Sequence, residues 1–144
     1  MGTFIAARPL GRGGLCMTDL NQTKLRVLLV EDTPFLRYAF ARLLRMHGFD
    51  VREACDGREA LDCVGEFRPN LILTDLMMPV MDGIELIRRL HDSEATAGVP
   101  VVAITADATE QAERLAMEAG AIDVITKPID LPGLLGRLHE LNLI

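Results

Sequence analysis

NLILTDLMMPVMDGIELIRRL, from Asn70 to Leu90, decides the fold. Its first five residues, Asn70–Thr74, hold three consecutive apolar side chains, Leu71, Ile72 and Leu73, the mark of a short strand covered on both faces. The run ends on an acid, Asp75. After a loop holding Pro79, Asp82-Gly83-Ile84-Glu85 reads as a helix start, an Asp cap with Glu three residues on. Leu86, Ile87 and Leu90 then share one helical face. Strand, acidic loop, capped helix: this is one turn of an α/β fold.

The same unit recurs on either side. Leu25–Val30 is an apolar run broken only by Arg26, and Thr33-Pro34 supplies an N-cap with Pro at the first helical position. Leu36, Phe40, Leu43, Leu44 and His47 fall on one face of the helix that follows, and Gly48 ends it. Phe49–Ala54 is a second strand, followed by the cap Asp56-Gly57-Arg58-Glu59. Pro100–Ile104 is a fourth, with Asp107-Ala108-Thr109-Glu110 expected to cap its helix through Asp107. Ala121–Thr126 is a fifth, and Asp130 opens a last helix through Leu134, Leu135, Leu138 and Leu141. Five strands alternating with five helices predict a doubly wound α/β domain, a five-stranded parallel sheet with helices on both faces.

Length and charge narrow the function. At 144 residues the chain suits one domain, and no apolar run is long enough to span a membrane. Residues 1–24 mix Arg, Gly and Pro without periodicity and read as a leader or upstream extension, lacking the core of an export signal, so a cytoplasmic location is expected. The domain is expected over residues 25–144. The leader carries a net charge of +2 within a total of −6, which leaves 12 basic and 20 acidic residues in the other 120. A domain so acidic offers no basic surface for nucleic acid, and no nucleic-acid partner is expected. Of those 12 basic residues 11 are Arg, and Lys127 is the only Lys. Cys16, Cys55 and Cys63 show no metal or disulfide spacing, and His47, His91 and His139 are dispersed.

In an open parallel sheet, ligands bind at the carboxyl ends of the strands. Those ends hold Glu31-Asp32, Asp75, Thr105 and Lys127. Carboxylates about 4–5 Å apart repel by a few kcal/mol at an effective dielectric near 20, so the cluster needs a counter-charge. Hard oxygens in this number suit Mg²⁺. An Asp beside Mg²⁺ and an ammonium can attack a phosphoryl group and form an aspartyl phosphate. Asp56, Asp82, Asp107 and Asp130 have the simpler reading of helix caps.

These residues resemble the receiver domain of two-component response regulators, of the single-domain, chemotaxis-regulator-like type. The resemblance rests on Val30-Glu31-Asp32, on Asp75-Leu76-Met77-Met78-Pro79 with Met81-Asp82-Gly83, on Ile104-Thr105-Ala106 and on Lys127-Pro128-Ile129. It implies a flavodoxin-like strand order 2-1-3-4-5. It implies Asp75 as phosphoacceptor and Thr105 and Lys127 as the switch hydroxyl and phosphate-pairing lysine. It further implies Mg²⁺, or Mn²⁺ in its place, held by Asp32, Asp75 and the Met77 backbone carbonyl, with Glu31 acting through metal-bound water. Lys127-Pro128 matches the family's cis peptide. The implied donor is a histidine kinase or histidine phosphotransfer protein, met through the first helix, where Phe35 and Tyr38 lie off the apolar face. The implied output is a downstream protein or a phosphorylation-dependent second copy, met through the face of helix four, strand five and helix five.

Two positions depart from the pattern. Val124 stands where the family has an aromatic switch residue, so output is expected to rest on the fourth helix and its loop. Met77 is apolar where some relatives place an amide that positions attacking water. An Asp-nucleophile phosphohydrolase is the competing class, but its second Asp, two residues after the nucleophile, is here Met77. A phosphate-independent interaction module is disfavoured by the intact set of acids, Thr and Lys. A non-enzymatic signalling domain is therefore expected.

Overall fold

The computed structural model describes residues 24–144, so nearly all of the expected leader, with Cys16, lies outside the described residues. Five strands and five helices alternate along the chain: β1 (Arg26–Val30), α1 (Pro34–Met46), β2 (Asp50–Ala54), α2 (Gly57–Phe67), β3 (Leu71–Thr74), α3 (Gly83–Asp92), β4 (Val101–Thr105), α4 (Glu110–Ala119), β5 (Asp123–Thr126) and α5 (Leu131–Glu140). All pairings are parallel and the order is β2-β1-β3-β4-β5.

The twofold period of a strand divides the core in two. Leu28, Val30, Ile72 and Ala103 point to one face, where Val64, Leu86, Ile87, Leu90 and Ala116 of α2, α3 and α4 cover them. Val27, Leu29, Leu73, Val102 and Ile104 point to the other, under Ala41, Leu44, Leu134 and Leu138 of α1 and α5. Central strands β3 and β4 are buried along their whole length, which is why they read as unbroken apolar runs. No helix among the described residues is long and apolar enough to cross a membrane.

The caps largely follow the sequence reading. The carboxylates of Asp56, Asp82 and Asp130 accept from the backbone N–H of Glu59, Glu85 and Gly133 at 2.8–2.9 Å, each contributing about 1 kcal/mol. The reciprocal half of the capping box does not form. Glu59 instead accepts from Cys55 N–H at 2.7 Å, and Glu85 pairs with Arg88 and Arg89. Asp107 is not the cap of α4. Thr109 is, its hydroxyl accepting from Ala112 N–H, while Asp107 accepts from Thr109 N–H one step earlier. Thr33 sits at the N-cap of α1 but its side chain makes no capping bond.

The buried stripe of α1 also differs from the one expected. Ala41 and Leu44 are buried and Phe40 half-buried, whereas Leu36, Leu43 and His47 are exposed. The small Ala41 turns toward the sheet and rotates the helix by about one position. Cys55 and Cys63 are half-buried free thiols, and burial pushes both above the ordinary thiol range.

Candidate functional site

Parallel pairing carries the strand ends to one pole, and the ladder continues one step past the strands to fix the site. Glu31 N–H donates to Ala54 O and Asp75 N–H to Val30 O, both at 3.0 Å, and Lys127 N–H donates to Thr105 O at 2.7 Å. The backbone of each residue is thereby set by its neighbouring strand.

Their side chains converge. Carboxylate oxygens of Glu31, Asp32 and Asp75 lie within 4.8 Å of one another. Glu31 and Asp75 are each only 7 % exposed. The Lys127 ammonium donates to Glu31 Oε1 at 2.8 Å and to Asp75 Oδ2 at 3.1 Å. Their other oxygens accept backbone N–H groups, Glu31 Oε2 from Thr33 and Asp75 Oδ1 from Met77, both at 3.1 Å. Burial alone would pull the Lys127 pKa down, but the hydrogen bonds and charges of Glu31 and Asp75 outweigh it and hold the ammonium above its ordinary value.

One ammonium against three carboxylates leaves the cluster at about −2. No donor among the described residues reaches the half-buried carboxylate of Asp32. A half-buried acid without a partner, beside two that are fully engaged, fits a hard divalent cation completed by water. Thr105, wholly buried at the end of β4, accepts from Asp107 N–H at 3.1 Å. That bond uses an oxygen lone pair and leaves the hydroxyl proton to donate.

A family model, the response regulator receiver domain, matches residues 27–139. The chain belongs to the response regulator receiver family. Receiver domains bind Mg²⁺ at an acidic pocket and are signalling domains, not enzymes in the ordinary sense. The DNA-binding response regulator MtrA of Mycolicibacterium smegmatis is 39 % identical over 120 residues, covering 83 % of this chain and 51 % of MtrA. The DNA-binding dual master transcriptional regulator RpaA of Synechocystis is 35 % identical over 116 residues, covering 81 % of this chain and 48 % of RpaA. The chain thus spans about half the length of the curated relatives it matches. Among solved structures, chemotaxis protein CheY4 of Vibrio cholerae superposes with a TM-score of 0.78 at 28 % identity, over 82 % of this chain and 98 % of CheY4. The BeF₃-activated receiver domain of Klebsiella pneumoniae RstA gives 0.74 at 32 % identity, over 82 % and 97 %.

Several features of this receiver domain bear on the expectations. The Lys127–Pro128 peptide is cis. Phe35 and Tyr38 are 79 % and 73 % exposed on α1, as their helical phase predicts. Val124 is half-buried and packs against the core beneath α2, α3 and α4. A largely apolar cavity of about 400 Å³ opens beside Lys127, between Leu36 and Phe40 of α1 and Pro128-Ile129. Sequence reasoning missed three groups that hold the site. Two are the backbone N–H groups of Thr33 and Met77, which no residue type announces. The third is Arg37, whose guanidinium donates to Glu31 O at 2.8 Å.

Proposed function

We propose that this domain accepts a phosphoryl group on Asp75 from a phosphohistidine donor in a Mg²⁺-dependent reaction. A carboxylate oxygen of Asp75 attacks phosphorus, the P–N bond to the donor imidazole breaks with its electron pair going to nitrogen, and the ring, already protonated on its other nitrogen in the phosphohistidine, leaves as neutral imidazole. The observation that carries the reading is the pairing of Lys127 with Glu31 and Asp75 beside Asp32, which no donor among the described residues reaches. Lys127 is already at the Asp75 oxygen and supplies positive charge where the incoming phosphoryl oxygens gather negative charge. Thr105 donates its free hydroxyl proton to one of those oxygens. Asp32, Asp75 and the Met77 carbonyl would hold the Mg²⁺, with Glu31 acting through its water, and the ion would neutralise the remaining phosphoryl oxygens.

Acetyl phosphate with Mg²⁺, read by intact mass, tests this. Wild type should gain one phosphoryl group and Asp75→Asn none. Steady turnover of phosphate esters with no covalent adduct would favour the phosphohydrolase class instead.

The donor is a histidine kinase or histidine phosphotransfer protein, and we place its docking on Phe35 and Tyr38. Both are large and exposed, in the first two turns of the helix that follows Asp32, and aromatic anchors dominate such interfaces. Phe35→Ser is expected to slow transfer from the donor about tenfold while acetyl phosphate labels the domain at the wild-type rate. Equal loss with both donors would sink the assignment.

For the output we propose a path through α4. Thr105, Asp107, Thr109 and Ala112 form a hydrogen-bonded series from the site into the first turn of that helix. Only Ala116 and Ala119 of α4 are buried, so two small side chains anchor it in the core. This route does not need the aromatic ring that Val124 replaces. The face of α4, β5 and α5 then meets a downstream protein or a second copy of the chain. MtrA and RpaA are DNA-binding regulators, so the expected lack of a nucleic-acid partner finds no support in the relatives. The cytoplasm, where acyl phosphates and phosphohistidine proteins occur, is the proposed location.

A further inference from the structure

We infer that Arg37 is a positioning residue for the cation ligand Asp32, acting through the peptide that joins Glu31 to Asp32. The inference rests on the reading of the acidic cluster as a Mg²⁺ site. Arg37, one turn into α1, donates from its guanidinium to Glu31 O at 2.8 Å. The same guanidinium faces Glu53 on β2, with Nε 3.4 Å from Oε1, and both side chains are about four-fifths buried. Glu53 is held in turn by Arg45, which also donates to Val51 O at 2.8 Å.

The consequence follows from peptide planarity. Glu31 N–H is fixed by Ala54 O and Glu31 O by Arg37, while its carboxylate is fixed by Lys127 and Thr33 N–H. A trans peptide is rigid, so the Glu31 carbonyl and the Asp32 N–H share one plane. Holding that carbonyl fixes the direction in which Asp32 leaves the strand. Asp32 is the acid of the three that no donor among the described residues orients directly. Its aim therefore depends on Arg37, and Arg37 depends on Glu53. A Lys at position 37 could reach the carbonyl or Glu53 as a single point charge, but could not fork between them.

The test titrates the full chain with Mg²⁺ by ¹H–¹⁵N NMR and measures urea stability of the metal-free protein alongside. Arg37→Gln is expected to weaken Mg²⁺ about tenfold, the usual scale for losing a group that orients a ligand. Arg37→Lys should fall between it and wild type. Glu53→Ala should weaken Mg²⁺ in the same direction and shift the Asp32 amide before any metal is added. A purely structural role would lower urea stability and leave the Mg²⁺ affinity of the folded protein unchanged, and that result overturns the inference. If Arg37→Gln does not fold, Glu53→Ala decides by the same criterion. A wild type that takes up no Mg²⁺ defeats the proposed function and this inference together. A wild type and an Arg37→Gln that bind Mg²⁺ equally well defeat only the role of Arg37.

Discussion

Lys127→Met is expected to slow phosphorylation of Asp75 by acetyl phosphate about 100-fold or more at saturating Mg²⁺, the usual result of removing one preorganised donor from a developing oxyanion. The same change should destabilise the metal-free fold. Among the described residues Lys127 is the one cation within hydrogen-bonding distance of two carboxylates that are 7 % exposed, and removing it leaves three acids within 4.8 Å without that counter-charge. Breaking a fully buried pair costs about 3–5 kcal/mol, but the lysine side chain is 22 % exposed, so screening brings the expected loss to about 1–2 kcal/mol. Mg²⁺ should recover much of that stability, because it supplies the missing positive charge and binds only the folded cluster. It should not recover the rate.

The sign of the pH dependence in wild type follows from the same pair. The ammonium is held above its ordinary value, so its contribution is complete at neutral pH and below the unfolded lysine pKa. It is lost only as pH rises through the higher folded value. Urea midpoints of wild type and Lys127→Met should therefore differ by a constant amount between about pH 6 and pH 9 and converge in strong alkali. Equal midpoints at pH 7 without metal would refute the account of Lys127 as the counter-charge.

What the sequence made legible divides along a physical line. Strands covered on both faces leave largely apolar runs, and an Asp three residues before a Glu leaves a cap signal, so β1, β3, β4 and the caps Asp56 and Asp82 could be read directly, while Asp130 could be read from its place just before the leucine stripe of α5. The converging acids could also be read, because a parallel sheet gathers its strand ends at one pole. Choices between near-equal neighbours could not. Asp107 and Thr109 are both good caps two residues apart, and the chain uses them in series, which only backbone geometry decides. The phase of α1 was missed by about one position, because Leu36 and Leu43 outweigh Ala41 in apolar content while Ala41 makes the closer contact. Arg37 was invisible for a different reason. Its partner Glu53 lies on β2, and their meeting depends on the register that pairs Leu29 with Glu53.

Gly83→Ala is expected to destabilise the domain by roughly 2–3 kcal/mol, the upper range for forcing atoms into a filled space. A Cβ on Gly83 would stand 2.2 Å from Asp75 O and 2.7 Å from Leu76 Cα, both main-chain atoms that no rotamer change can move aside. The backbone there is also tied, with Gly83 N–H donating to Leu76 O at 2.9 Å and Thr74 Oγ1 donating to Asp75 O at 2.8 Å. Helix α3 must therefore back away, or the Asp75–Leu76 peptide must turn. Either movement disturbs the Met77 N–H that holds Asp75 Oδ1, so phosphorylation should fall along with stability. Gly136→Ala is the control, since a Cβ at that exposed position of α5 meets nothing within 4 Å. It should stabilise by about 0.5–1 kcal/mol through helix propensity and leave phosphorylation unchanged. A Gly83→Ala protein with the wild-type urea midpoint would refute the steric argument. One that is destabilised yet phosphorylated at the wild-type rate would show instead that the start of α3 and the phosphoacceptor loop move independently.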